Sequence, residues 1–199
     1  MLYSRSARNR CKEAYPRRVC LFCFEVEKEE ITLKMKLERL DFSVAILAAL
    51  SCILMAADIP VWALFVGWAW YFALGAEPSL IKKGIAPLIA GSVLAFAAFL
   101  LIDLLTMVGL PWLLPTIISV FITVFVLMLT LKVPALNHSL ISFNAYSCVF
   151  VGFSTGTYYA VSGMPPYLNA FIWITGANFL GLIFGWLSIR LGTKEAKKA

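Results

Sequence analysis

The sequence predicts an all-α fold: a polytopic membrane helix bundle with about six transmembrane helices. Three observations predict it. The chain is 61% hydrophobic and 14% charged, where soluble domains run nearer a quarter charged. Between Phe42 and Ile189 the only charged residues are Asp58, Glu77, Lys82, Lys83, Asp103 and Lys132. Finally, a single threading through six spans puts all 17 Lys and Arg residues on one side of a membrane, as the cation excess of cytoplasmic loops requires.

The spans follow in order. The first covers residues 42–57, and Asp58-Ile59-Pro60 turns the chain into the second, 61–76. At about 16 residues each, roughly 24 Å of helix, these two read either as tight spans or as a partly re-entrant pair. Glu77-Pro78-Ser79 and Lys82-Lys83-Gly84 form a loop before the third segment, 85–108. Gly109-Leu110-Pro111 breaks the chain before the fourth, 112–131, which ends at Lys132-Val133-Pro134. The fifth covers 139–161 and the sixth 167–190, with Ser162-Gly163-Met164-Pro165-Pro166 between them. The prolines, Pro87 among them, fall in loops or first turns, where a missing amide proton costs little. Trp62, Trp112, Tyr167 and Trp186 lie near segment ends and suit an aromatic belt.

The cations also set the orientation. Ten precede the first span, Lys82 and Lys83 follow the second, Lys132 follows the fourth, and four close the chain. Both termini are therefore expected in the cytoplasm of a bacterial inner membrane. The formal charge of +6 is explained by this bias, with anionic lipid rather than nucleic acid as the partner. Residues 1–34 form a basic leader without apolar periodicity, either a disordered tail or the product of a start assigned too early, with translation beginning at Met35. Either way they stand apart from the bundle, 35–191, and from a basic tail, 192–199. The five cysteines make no framework: Cys20 and Cys23 have CxxC spacing without a second pair, so neither metal nor cofactor is expected.

Small residues recur at intervals of four in the last two segments: Cys148, Gly152, Gly156 and Ala160, then Ala177, Gly181 and Gly185. Such ridges let helix backbones approach closely in lipid, which predicts a central packing role for Gly152, Gly156, Gly181 and Gly185. A short internal match links Val66-Gly67-Trp68 in the second segment to Val151-Gly152-Phe153 in the fifth. The threading sends these segments across in opposite directions. The match therefore suggests two inverted three-helix halves, a plan that places substrate at the repeat interface in many carriers.

No catalytic constellation is present, and no enzyme is expected. The polar candidates lie inside the apolar runs. Asp103 is a carboxylate near the outer end of the third segment, a costly and often functional placement, although an interfacial Asp at a frayed helix end would also explain it. Asn178 is deep in the sixth segment and needs hydrogen-bond partners there. Asn144, Ser147, Ser154 and Tyr158 fall within about 80° on a helical wheel. That stripe either lines a solute path or holds helices together.

Three blocks resemble a family of small bacterial inner-membrane proteins catalogued as domain of unknown function 1097. They are Pro60-Val61-Trp62-Ala63-Leu64-Phe65-Val66-Gly67-Trp68 running on to Tyr71-Phe72-Ala73, then Ser142-Phe143 with Phe150-Val151-Gly152 and Tyr159-Ala160, then Gly181-Leu182-Ile183-Phe184-Gly185. The resemblance spans most of 35–191. It implies a multi-pass membrane protein and carries no activity or site.

The residues themselves favour a channel or carrier for a small neutral or weakly cationic solute. Its path would run along Asp103, Asn144, Ser147, Ser154, Tyr158 and Asn178. Its outer mouth would be shaped by Asp58 and Asp103, with no opposing cation. The alternative is a structural or accessory membrane subunit, in which the same polar groups only join helices. Assembly into a homo-oligomer is compatible with either.

Overall fold

The computed structural model describes residues 37–111 and 113–193. Contacts divide the chain between Leu37 and Glu38. The expected leader, the start at Met35, the aromatic-belt residue Trp112 and the tail beyond Thr193 lie outside the described residues. Among the described residues there are six α-helices and no strand.

Helix α1, Arg39–Ser51, begins where the Asp41 carboxylate accepts the Glu38 backbone N–H at 2.8 Å. It tightens into a 3-10 turn, Cys52–Ala57, and stops at Asp58, which is left-handed with φ 51°. Aspartate tolerates that conformation better than most residues. Helix α2, Val61–Ala73, starts directly after Pro60. Helix α3, Ser79–Met107, starts earlier than the sequence suggested, with Lys82, Lys83 and Gly84 already inside it. Pro87 is therefore buried within the helix rather than at its first turn. Helix α4 is Leu114–Thr130, with Pro115 in its first turn. Helix α5, Ser139–Thr155, is shorter than the expected 139–161. Gly156 turns left-handed (φ 65°), and the Thr157 N–H closes back on the Gly152 carbonyl at 3.0 Å, the glycine stop of many helices. Helix α6 is Pro166–Gly192, opened by two prolines and carrying Arg190 in its last turn.

The helices are not six equal spans. Arg39–Ala57, Ser79–Met107 and Pro166–Gly192 are long and apolar enough to cross a membrane, whereas Val61–Ala73 and Leu114–Thr130 are apolar but shorter. The thirteen residues of α2 reach about 20 Å against a hydrocarbon core of about 30 Å. Burial explains the shortness. Ala63, Leu64, Trp68, Trp70 and Tyr71 are all buried, while Phe65, Ala69 and Ala73 form one exposed stripe, so most of the α2 surface is covered by protein and only that stripe faces outward.

Packing follows an exchange pattern. Helix α2 packs chiefly on α6 and α5 chiefly on α3, while α1 lies on α6 and α4 on α3. Swapping the first three helices for the last three leaves these four pairings unchanged, while α5 also packs on α6 with no comparable contact between α2 and α3. Directions obey the same rule. Ala63 shares a cluster with Ala170 and Ile174, and further along Tyr71 lies at Gly185, so α2 and α6 run parallel. Gly84 lies at Ile141 and Phe99 stacks on Phe150 with centroids 4.9 Å apart, so α3 and α5 also run parallel. Trp62 at the start of α2 reaches Thr157 beyond the end of α5 (3.3 Å), so those two are antiparallel. The two halves are therefore inverted with respect to each other.

The crossings match at the residue level. A Cβ on Gly181 of α6 would collide with the carbonyl oxygen of Leu64, the fourth residue of α2. A Cβ on Gly91 of α3 would collide with the carbonyl oxygen of Ser142, the fourth residue of α5. Gly67 and Ala145, three residues further on, stand beside the same two glycines. The structural partner of Gly67 is thus Ala145. The sequence match to Gly152 found the right helices two turns out of register.

Candidate functional site: a cleft where the two halves meet

All helix ends gather at two poles. Arg39, Lys82, Lys83, Lys132 and Arg190 lie at helix ends on one pole, the basic end, and Asp58 and Asp103 mark the other, the carboxylate end. The basic end is closed by a buried cluster of Trp70, Tyr71, Leu80, Leu88, Ile141, Ala145 and Leu182. The carboxylate end holds a cleft of about 690 Å³. One wall is the 3-10 turn and the start of α2, with Cys52, Asp58, Trp62 and Phe65; the other is the segment after α5, with Thr157, Tyr158 and Tyr159. Each half contributes one wall.

Local chemistry fixes the walls. Trp62 donates its indole N–H to the Thr157 carbonyl at 3.3 Å, and its ring edge fills the space beside Gly152. A side chain at Gly152 would meet Ile174 of α6 and Trp62, so this glycine keeps the α5 end close to both neighbours. Tyr158 stacks on Phe153 (6.0 Å, 16°), and Tyr159 meets Trp173 edge-on at 4.9 Å. Asp58 is held by its backbone N–H bond to the Met55 carbonyl at 3.0 Å.

The expected path residues separate into three places. Tyr158 lines the cleft, beyond the end of α5 rather than on it. Asp103 is exposed on α3 and accepts a hydrogen bond from the Tyr167 hydroxyl of α6. The Tyr167 ring packs on Phe153 at 4.6 Å, which carries on to Tyr158. Asn178 is 1% exposed. It accepts from the Trp70 indole N–H at 3.0 Å and donates to Cys148 Sγ at 3.3 Å, joining α2, α5 and α6. Asn144 is half-buried and Ser147 exposed on α5, and Ser154 turns its hydroxyl back onto the Phe150 carbonyl at 2.8 Å. The wheel that aligned Tyr158 with the other three assumed a helix that Gly156 ends.

Of the four glycines expected in packing, Gly152, Gly181 and Gly185 face neighbouring helices at close range. Gly156 does not: nothing lies within 4 Å of its would-be Cβ, and its role is the left-handed stop of α5. Spacing by four keeps residues on one face only while the helix continues.

Residues 42–193 match the model of the family described as protein of unknown function (DUF1097). The chain belongs to that family. The match covers α2 to α6 and nearly all of α1, hence both walls of the cleft. No curated protein and no solved structure matches the chain. Asp58, expected at the outer mouth, lines the cleft; Trp62, Phe65 and Tyr159 were absent from the expected path because they stand near segment ends, where span-by-span polarity carries little signal. The one available sign was Asp58, a carboxylate in a loop that contains no cation.

Proposed function

We propose that this membrane protein is a channel or carrier for a small neutral or weakly cationic solute, with the cleft as its outer vestibule. The observation that carries the reading is the position of the cleft, walled by one segment from each inverted half. Carriers of this plan bind substrate at the repeat interface near the membrane midplane, and a cleft between the two halves at one end is an approach to that position. The closed cluster at the basic end favours a carrier over a permanently open pore. The cation distribution supports an inner bacterial membrane with the basic end in the cytoplasm. In this reading the protein performs no covalent chemistry. Asp103 and the α5 polar residues flank the route, and Asn178 holds its centre together.

The competing reading is an accessory subunit. It is favoured by Asn178, whose amide is spent on joining three helices. Uptake into proteoliposomes separates the two. Purified protein should raise the flux of methylammonium or a small neutral solute such as glycerol above that of empty liposomes. Absence of flux across a screen of small neutral and cationic solutes sinks the transport reading and leaves the subunit. Reporter fusions after Lys83 and Lys132 should read cytoplasmic, and fusions at Asp58, Gly109 and Gly163 external. A cytoplasmic signal at Gly163 breaks the orientation.

A further inference from the structure

We infer that the cleft is a binding site for a compact alkylammonium ion, held by the Asp58 carboxylate and aromatic faces. The inference narrows the solute class of the transport reading and rests on it only for biological purpose; binding is testable without flux. Cleft volume comes first. About 690 Å³ lies within the roughly 300–1,000 Å³ range of small-molecule sites. Charge comes second. The described residues lining the cleft include one carboxylate, Asp58, and no Lys, Arg or His, so an anion meets repulsion and a cation attraction. Two chain segments, the 3-10 turn and α5, also end at this cleft, and α2 begins there. Helix C-termini carry partial negative charge and N-termini partial positive charge, so the two ends outweigh the one start.

The rings decide what kind of cation. Trp62, Phe65, Tyr158 and Tyr159 all line the cleft. Because the Trp62 N–H is already given to Thr157, the indole offers a ligand its π surface and not a donor. Tyr158 and Tyr159 are braced from behind by Phe153 and Trp173. Aromatic faces attract cations whose charge is spread over alkyl groups, the chemistry of quaternary ammonium recognition. A metal ion needs several oxygen, nitrogen or sulfur ligands. Among the described residues no three His, Cys, Asp or Glu side chains come together.

Cys52 provides the readout, since it is exposed and lines the same cleft, while Cys148 is buried. The full chain in detergent is alkylated with and without tetramethylammonium, and the Cys52 peptide is followed by mass. Peptide resolution keeps Cys11, Cys20 and Cys23 out of the signal. Tetramethylammonium should slow Cys52 alkylation by about tenfold at saturation. Neopentyl alcohol, of similar shape and no charge, should not. Asp58→Asn should abolish the protection. Asparagine has the same shape and also tolerates a left-handed backbone, so unchanged melting confirms the fold. Trp62→Leu should weaken protection, with Phe65→Leu as a second variant should Trp62→Leu fail to fold.

No protection of the wild type, equal protection by neopentyl alcohol, or full protection in Asp58→Asn each overturns the site. Protection without flux keeps the site and fails the transport reading. Flux that proceeds unchanged in Asp58→Asn, with no protection in wild type, keeps transport and fails the site.

Discussion

The two ends of this bundle are built from the same two helices and differ in what covers them. At the carboxylate end, α2 begins and α5 ends, and the space between them is an open cleft. At the basic end, α2 ends and α5 begins, and the space is filled by Trp70, Leu80, Ile141 and Leu182. The inverted packing makes these ends equivalent in topology. Their difference lies in side chains and helix stops: Gly156 ends α5 early, leaving a loop as one wall, whereas Leu80 and Gly84 of α3 come up against α2 and α5 at the basic end. In the proposed transport reading, one end open and its counterpart shut is the arrangement that alternating access requires. It also lets each end be perturbed separately.

The largest effect is expected where the halves cross. Gly181→Leu places a side chain against the Leu64 carbonyl, and Gly91→Leu places one against the Ser142 carbonyl. Backbone cannot move aside as a side chain tip can. Each substitution should cost about 3 kcal/mol, the upper end for overpacked sites, and the two should lower the melting temperature in detergent to a similar extent. Similar losses would confirm the exchange relation between the two crossings. A loss at Gly181 with none at Gly91 would break it. Gly152→Leu faces side chains of Ile174 and Trp62, so its cost should be smaller, about 1–2 kcal/mol.

The shut end is tested next. Trp70→Phe keeps an aromatic ring but removes the donor to Asn178 Oδ1. A buried acceptor left without its partner costs about 1–3 kcal/mol. Thermal melting should show that loss, and flux measured alongside should show whether the shut end leaks. Unchanged melting would mean that Asn178 finds another donor and that Trp70 seals by shape alone.

These sites divide sharply in how well the sequence revealed them. Helix number, the poles and the crossing glycine of α6 were legible, because apolar length, cation placement and small-residue spacing act locally along one helix. Gly181 and Gly185 were found that way. Gly91 was not, because the small residues near it, such as Ala95 at an interval of four, do not extend into a longer ridge. The cleft was hidden for a different reason. Tyr159 is far in sequence from Cys52, Asp58 and Trp62, and it meets them only because α5 stops at Gly156. Nothing in the fifth apolar run marked that stop except a glycine with an equally good packing explanation. Asn178 was legible as a buried amide in need of partners, but Trp70 and Cys148 as those partners required the fold.

The open end is tested at its helix stop. Gly156→Ala keeps the space free, since nothing lies within 4 Å, but forces a side chain into a left-handed backbone at φ 65°. That should cost about 1 kcal/mol and fall on the cleft wall rather than the core. Alkylation of Cys52 should change with it while Cys148 stays protected. If Cys148 became reactive as well, the stop would be supporting the whole bundle and the two ends would not be separable.

The smallest effect on stability, and the most specific on function, is expected at Asp103. Its carboxylate is exposed and takes the Tyr167 hydroxyl, tying α3 to α6 beside the cleft. Exposed polar contacts contribute only a few tenths of a kcal/mol up to about 1 kcal/mol. Asp103→Asn preserves shape and can still accept from Tyr167, so melting should hardly move. What it removes is one of the two negative charges at this end. Tyr167→Phe removes the tie and keeps the charge. If Asp103 acts by charge, Asp103→Asn should lower methylammonium flux relative to glycerol while Tyr167→Phe leaves that ratio alone. If it acts as a strut, Tyr167→Phe should change both fluxes together and Asp103→Asn neither. Equal wild-type behaviour in both variants would place Asp103 outside the route and leave Asp58 as the carboxylate that distinguishes the open end from the shut one.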